Sequence, residues 1–489
     1  MSSLEEIRAA RFEKLKLLEK KGINPYPAST ARTHTCAEAR KEFEAEKEMV
    51  LAGRIMSLRA QGKIIFFDIN DGSGRFQIFL KKGDPISDEN FELFEQAFDI
   101  GDFVEVKGTL FLTKQDEKTL LAGEVKMLSK SLLPLPEKWH GLSDVEERFR
   151  KRYLDLLSNP EVRQIFELKE KFWKSVRDFL KKEGFMEVET PTLEVTTGGA
   201  EARPFKTHHN DFDVDVYLRI SVGELWQKRL MAGGFPKTFE IGRVYRNEGS
   251  SPEHLQEFTN MEFYAAYMNF ENGKELIKKL YRTVAWEVFG KSTFETRGHK
   301  FDLEDEWQDL DYVETVKKMT GVDVINDSED KLRSKLEELG VKYDGENRER
   351  MTDSLWKHCR KSISGPAFLI NHPKLIAPLS KEHPDNPNLT KTFQVIIAGS
   401  EIGRAHAELN DPMDQARRFV KQKELIERGD EEAMMPDDEF VEMLEYGMPP
   451  TFGFGFGERF FAFLVDKPLR ETQLFPLMRP KTLNINVHN

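Results

Sequence analysis

"RVYRNEGSSPEHLQEFTNMEFY", residues 243–264, decides how the chain is read. It continues "FEIGRVY" (239–245) and runs into "FTNMEFYAAY" (258–267), so a strand–loop–strand hairpin is predicted. Yet Arg246, Glu248, His254, Glu257 and Glu262 stand among its apolar positions. A plain hairpin keeps charge in the loop and on one solvated face. An arginine and several carboxylates on one sheet face suit a nucleotide with its Mg2+. The guanidinium neutralises a reacting phosphate, carboxylates hold the metal or cationic groups, and Phe258 can stack on a purine. Taken by itself, the same hairpin also reads as a set of surface ion pairs.

Two further stretches carry charge in apolar surroundings. In "TFGFGFGERFFAFLV" (451–465), glycines at alternate positions let backbone approach a ligand, and Arg459 begins an apolar helix. A tight turn is the other reading. The stretch is not a dinucleotide fingerprint, because position 458 is Glu, and it is not a Walker loop, because no GKS or GKT occurs. In "EIGRAHAELNDP" (401–412), Glu401 and Glu408 sit in an apolar strand context, and buried carboxylates need a metal, a cation or an arginine.

Working outward, 489 residues are too many for one ordinary core, and two or three domains are expected. The 39% hydrophobic and 11% aromatic fractions fit a globular protein, and no apolar run approaches a membrane span. The charged start "MSSLEEIRAARFEKLKLLEK" lacks the apolar core of a secretory signal. Cys36 and Cys359, the two cysteines, exclude a disulfide framework and a four-cysteine zinc site, and suit a reducing cytoplasm. The net charge of −12 argues against a protein that coats nucleic acid, while leaving room for local basic faces.

Residues 3–21 are predicted as a helix with a Ser3/Glu6 capping box and Gly22 past its end. Ile7, Phe12, Leu15 and Leu18 form its expected apolar stripe. Arg8, Arg11, Lys14, Lys20 and Lys21 form the other face, read as solvated or as phosphate-contacting. Residues 50–130 hold about five short β-type runs broken by turns such as "NDGSG", which suggests a small closed barrel of the oligonucleotide-binding (OB) kind. Phe66, Phe67, Phe76 and Phe79 cannot all point into it, because strand neighbours face opposite sides. The outer ones either stack on bases or pack on the next domain. The Pro-rich linker "LLPLPEKWHGLSD" (132–144) precedes a predicted helix over 160–182, with Val162, Ile165, Phe166, Phe172, Val176 and Phe179 on its core face. Alternating strands and helices follow, implying an α+β domain on an antiparallel sheet. Residues 300–360 read as charged and helical.

Together these stretches resemble the class II aminoacyl-tRNA synthetases. "FMEVETPTLEVTTGGAEARPF" (185–205) is similar to motif 1, residues 239–267 to motif 2, and residues 451–465 to motif 3. "GGAEARPFKTHHN", "YLRISVGELWQKRLMAGGF", "AELNDPMDQARRF", "GDEEAM" and "LEYGMPPTFGFGFGERF" resemble the bacterial lysyl-tRNA synthetase family, over nearly the whole chain. The resemblance implies a helical segment (1–49), an OB anticodon-binding domain (50–131), a linker (132–159) and a catalytic domain (160–489) with a helical insertion at about 271–390. It implies activation of L-lysine by ATP with Mg2+ and transfer to tRNA(Lys), in a cytoplasmic homodimer off the membrane with Pro191 at the interface. Arg246 and Arg459 would be catalytic. Glu248, His254, Phe258 and Glu401 would join them at ATP, and Glu401 would hold metal. Gly198, Glu224, Arg246, Glu262, Tyr264 and Glu408 would bind lysine, and Phe66 and Gln77 would meet anticodon bases.

The chain departs from the family's usual pattern at Arg404 (usually Asn), His406 (Phe or Tyr) and Gln394 (an acidic metal ligand). Glu458 stands where Asp is more common. An added cation should weaken lysine binding unless Arg404 faces a phosphate or an acid, and Gln394 should weaken one metal site. An enzyme of altered specificity and a non-catalytic tRNA-binding paralogue are the alternatives. An aspartyl or asparaginyl enzyme is disfavoured, because Glu262 and Glu408 would repel an aspartate side chain.

Overall fold

The computed structural model describes residues 3–136, 142, 144–249, 251, 254–343, 347–430 and 432–481. Part of the expected linker, residues 137–141 and 143, lies outside them. The chain divides into two compact units. One runs to Arg148 and includes Tyr153–Ser158; the other holds Phe149–Arg152 and the chain from Asn159 onward.

In the first unit, helix α1 (Leu4–Lys20) forms the expected capping box: Ser3 N donates to Glu6 Oε2 at 2.7 Å and Glu6 N to Ser3 Oγ at 3.2 Å. Its inward face is not the predicted stripe. Leu15 and Leu18 are buried together with Arg11, while Phe12 is 40% exposed. The Arg11 guanidinium donates to the carbonyls of Ile100, Ser131 and Leu133, and these bonds make its burial tolerable. The basic face therefore loses Arg11, and Lys14 is paired with Asp99 at 2.7 Å.

Helix α2 (Cys36–Lys41), strands β1 (Glu48–Gln61), β2 (Ile64–Asn70) and β3 (Arg75–Lys81), helix α3 (Asp88–Ala97), and strands β4 (Phe103–Leu112) and β5 (Lys118–Ser129) complete this unit. The five strands close a barrel in the order β1-β2-β3-β5-β4, with β4 pairing back onto β1. Period two sorts the aromatics as expected: Phe67 and Phe76 are buried inside. Phe66 and Phe79 face outward and stack with ring centroids 4.6 Å apart, and Phe111 lies 5.8 Å from Phe79. Beside them Gln77 Oε1 accepts a bond from Thr119 Oγ1 at 2.8 Å.

Helices α4 (Val145–Arg150) and α5 (Arg152–Ser158) precede α6 (Pro160–Lys182), whose first residue is Pro160, where its missing N–H costs nothing. β6 (Met186–Glu187) and a small sheet of β7 (Leu193–Glu194), β8 (Lys206–His209) and β9 (Val214–Leu218) come before helix α7 (Glu224–Ala232). The stretch quoted at the outset forms the hairpin of β10 (Lys237–Tyr245) and β11 (Glu257–Ala266). Next come α8 (Phe270–Phe289), β12 (Thr293–Thr296), β13 (His299–Asp302), β14 (Gln308–Asp311), α9 (Tyr312–Thr320), α10 (Glu329–Glu338), α11 (Arg348–Cys359) and β15 (Ala367–Ile370). A ribbon of β16 (Glu382–His383) and β17 (Asn386–Thr390) leads to β18 (Thr392–Ile397) and β19 (Ser400–Ala407). Helices α12 (Pro412–Glu427) and α13 (Asp438–Tyr446), strand β20 (Thr451–Gly457) and helix α14 (Arg459–Leu464) follow.

Eight of these strands form one sheet in the order β14-β15-β18-β19-β20-β11-β10-β6, antiparallel except at its two outermost pairs. The stretch 271–390, expected as a helical insertion, thus also supplies two strands of the sheet, β14 and β15. At four residues each they are too short for period two to stand out. Helices α6 and α8 cover one face through Phe172, Val176, Phe179, Ile277, Leu280 and Tyr281. Strand β20 shows why its sequence alternates. Phe452, Phe454 and Phe456 are buried in that core, and the glycines between them face the other way.

Candidate active site

The opposite face of the sheet carries a cleft of about 450 Å³. Strand register builds its floor. Tyr264, Glu262 and Asn260 of β11 lie opposite Gly453, Gly455 and Gly457 of β20; Gly453 and Gly455 in turn face His406 and Arg404 of β19. On β18, Gln394 pairs with Arg404 and Thr392 with His406. The glycines are needed for space. A Cβ on Gly453 would come within 2.1 Å of Glu408 Oε1, and one on Gly455 within 2.8 Å of Glu262 Cγ.

At one end of the cleft three carboxylates converge. Glu262 Oε1 accepts from Val222 N at 2.8 Å and Asn260 Nδ2 at 3.0 Å, and its Oε2 accepts from the Tyr264 hydroxyl at 3.1 Å. Glu224, in the first turn of α7, and Glu408, just past β19, share the ammonium of Lys228 at 2.7 and 2.5 Å. Burial pushes the Glu408 carboxyl up to about 8: Lys228 pulls it down, while Glu224 and Glu262 push it up further. Glu262 rises to about 7 for the same two reasons, burial and then Glu224. The pocket is therefore short of positive charge.

The other end carries the cations. Arg246 lies over the Phe258 ring at 5.3 Å and donates two long bonds, 3.4 and 3.3 Å, to the Ile220 carbonyl. Glu248 and then Glu262 are the carboxylates whose charge acts on it. His254 Nδ1 is 2.8 Å from Ser251 Oγ. Arg459 Nη1 donates to the Glu401 carbonyl at 3.5 Å, and Glu401 Oε1 accepts from Trp356 Nε1 at 2.9 Å. Arg246, Glu248, His254, Phe258, Glu401 and Arg459 all line the one cleft, as do Glu224, Glu262, Tyr264 and Glu408. Of the neighbouring glycines Gly199 lines it; the Gly198 carbonyl accepts from Ser221 Oγ at 2.7 Å. Pro191 is exposed between β6 and β7.

Arg404 stands in the wall between this cleft and a side cavity of about 70 Å³. Its Nη2 donates to the Ile376 carbonyl at 2.8 Å. It does face an acid: Glu201 and Arg404 line the same cleft and the same side cavity. His406 is kept neutral, first by burial and then by Arg404 and Lys228, and its Nδ1 is 3.0 Å from Thr392 Oγ1. Gln394 Oε1 is buried without a hydrogen-bond partner.

With this geometry in view, the likenesses are specific. Residues 144–479 match the family model of tRNA synthetases class II (D, K and N), and residues 49–128 match that of the OB-fold nucleic acid binding domain. This chain is a class II tRNA synthetase of the D, K and N family. Curated relatives are similar along their full length. A lysine–tRNA ligase of Roseiflexus sp. (strain RS-1) is 44% identical over 488 residues, covering 98% of this chain and 99% of the relative. Those of Thermosipho melanesiensis and Thermotoga maritima are 42% identical, each covering 98% of this chain and 97% of the relative.

In this synthetase, sequence reasoning missed two buried ion pairs that hold the site. Glu458 accepts from Thr259 N at 3.0 Å, pairs with Lys169 at 3.0 Å and bonds Gln473, so it ties β11 to α6. Lys228 is the other. Its spacing from Glu224 reads in sequence as a surface i,i+4 pair, and nothing local marks it as buried. No helix among the described residues is long and apolar enough to cross a membrane. Among the same residues no group of three or more His, Cys, Asp or Glu side chains is placed to hold a metal ion.

Proposed function

We propose that this synthetase activates L-lysine with ATP and transfers the lysyl group to the 3′ end of tRNA(Lys). The observation that carries this reading is the three-carboxylate pocket of Glu224, Glu262 and Glu408 at one end of a cleft whose other end presents Arg246 and Arg459. A dicationic amino acid fits the first end and a polyphosphate the second; an aspartate or asparagine side chain would leave buried negative charge unpaired.

Glu224 takes the α-amino group, and Glu262, Tyr264 and Glu408 take the side-chain ammonium. Arg246 bridges the substrate carboxylate and the α-phosphate, Phe258 stacks on adenine with Glu248 and His254 beside it, and Arg459 meets the γ-phosphate. A carboxylate oxygen of lysine forms the bond to the α-phosphorus, and pyrophosphate leaves with the electron pair of the bond that breaks. No proton need move in this step, so positioning and charge stabilisation dominate. A terminal ribose hydroxyl of the tRNA then attacks the lysyl carbonyl; AMP leaves with the electron pair of the carbon–oxygen bond that breaks, and the hydroxyl proton goes to the departing phosphate.

Mg2+ fits the donors at hand. The Glu401 carboxylate and the orphaned Gln394 Oε1 are hard oxygens, and Mg2+ is commonly held by one or two protein oxygens plus phosphates. When bound it would neutralise phosphate charge. Phe66 with Phe79, and Gln77 beside them, suit anticodon bases on the barrel. Pro191, with exposed Leu193 and Val195 just after it in sequence, suits the interface of a homodimer. Cytoplasmic residence goes with the reaction.

Amino-acid-dependent ATP–pyrophosphate exchange with each of the twenty amino acids tests the reading. Exchange with lysine alone is the expected result. Exchange with another amino acid would mean that Arg404 and His406 have rebuilt the pocket, and no exchange at any Mg2+ level would point to a tRNA-binding paralogue.

A further inference from the structure

Lys228 is 1% exposed and lies behind the acidic end of the cleft, bonded to two of the carboxylates that line it. The mechanism above gives it no task. It sits one turn after Glu224 on α7. Its ammonium is 2.7 Å from Glu224 Oε1, 2.5 Å from Glu408 Oε2 and 5.8 Å from the centre of the Tyr264 ring. It takes one oxygen from each carboxylate. The other two oxygens face backbone that carries no side chain. Glu224 Oε2 is 2.8 Å from where a Cβ on Gly199 would be, and Glu408 Oε1, which has no hydrogen-bond partner, is 2.1 Å from where one on Gly453 would be.

The charges can be counted. With every carboxyl ionised, Glu224, Glu262 and Glu408 bring three negative charges, and Lys228 cancels one. Two remain for the two ammonium groups of a lysine whose carboxylate goes to Arg246. We propose that Lys228 is a specificity-determining positioning residue: a built-in ammonium that holds one oxygen of Glu224 and one of Glu408 so that their other oxygens are aimed at the two ammonium groups of the substrate. The proposal rests on the lysine-activating reading above. An amino acid with a neutral side chain would leave one of the two charges buried and unpaired, and the site disfavours it for that reason.

The surroundings give this arrangement a pH signature. Facing Lys228 and its carboxylates are Glu262 and Tyr264 from β11, and Arg404 and His406 from β19. Arg246 lies beyond Glu262, and Glu201 lines the same cleft. Burial lowers the ammonium of Lys228, but Glu224 and Glu408 outweigh it and keep Lys228 charged. Glu408, at about 8, and Glu262, at about 7, must lose protons before they can accept an ammonium. The KM for lysine therefore rises as pH falls from 8 toward 6. Without Lys228 both carboxyls hold their protons more tightly, so the rise begins at higher pH.

Lysine-dependent pyrophosphate exchange from pH 6 to 9 on the parent protein, Lys228→Met and Lys228→Arg tests this. Lys228→Met is expected to raise the lysine KM by about 10- to 100-fold, to shift its pH profile to higher pH, and to narrow the preference for lysine over norleucine. Its ATP KM should stay within about twofold of the parent. Lys228→Arg, which keeps the charge, should recover the parent's pH profile. An unchanged lysine KM and profile in Lys228→Met would overturn the proposal, and so would an equal rise in the lysine and ATP KM values, the mark of a purely structural role. Should Lys228→Met fail to fold, Lys228→Arg decides alone: a profile moved to higher pH despite the retained charge refutes the proposal, and the parent's profile supports it. A parent protein that exchanges with another amino acid but not lysine would instead sink the lysine reading.

Discussion

At the carboxylate end of the cleft the acids are already held in place, with one oxygen of Glu408 left over. Glu262 accepts three hydrogen bonds, and Glu224 and Glu408 share Lys228. At the arginine end Arg246 is held loosely: it makes two bonds longer than 3.2 Å to a single carbonyl. The first end is set in place before any ligand arrives, with two carboxylate charges still to be met, and the second is left for phosphates to complete. Selectivity depends on charges fixed before binding, because a preformed buried charge penalises the wrong ligand most heavily. Phosphoryl transfer gains from donors that tighten only as negative charge develops in the transition state.

The sharpest way to break this contrast is at Arg246. Arg246→Ala should lower kcat/KM for pyrophosphate exchange by about 100- to 1,000-fold, with most of the loss in kcat. A loss confined to the lysine KM would place Arg246 with the preformed end instead.

Glu262→Gln probes the other end and should act mainly on binding, raising the lysine KM by about 10- to 100-fold with a smaller change in kcat. It also carries a stability test. A carboxyl raised in the folded protein binds more protons there than when unfolded, so it costs stability as pH climbs from its ordinary value through its raised one. With Glu262 at about 7 and Glu408 at about 8, the ligand-free melting temperature should fall between pH 6 and 8.5, and lysine should restore more of it at pH 8.5 than at pH 6. Glu262→Gln should flatten that fall; the same slope in variant and parent would mean other groups set it.

The smallest effect is expected at Phe258. Phe258→Leu removes stacking worth about 1 kcal/mol and should raise the ATP KM about fivefold with the lysine KM unmoved. If both KM values rise, the two ends are coupled through the Arg246–Phe258 contact rather than independent.

Much of this could be read from the chain, for local reasons. The α1 capping box, Pro160 at the start of α6, the closed barrel and the gathering of Arg246, Glu262, Glu401, Glu408 and Arg459 in one cleft rest on short-range spacing or on long family motifs. The misses are long-range. Arg11 turned inward because three carbonyls, at Ile100, Ser131 and Leu133, are placed to receive it, and no window around residue 11 contains them. Lys228 escaped notice because Glu408 is far away in sequence, and an i,i+4 Glu–Lys pair looks the same on a wet helix face as in a dry pocket. Strands β14 and β15 were hidden by their length.

Strand β20 has a further consequence. Its three rings, Phe452, Phe454 and Phe456, are wedged among α6, α8 and β11, and this grip fixes where Gly453, Gly455 and Gly457 stand along the strand. A slip of one residue would swap the two faces, driving rings into the substrate cleft and leaving holes in the core. The strand thus acts as a gauge. The oily side sets the index and the bare side is read by the substrate, so the fineness with which this protein measures an amino acid is no better than the packing of rings the amino acid never touches.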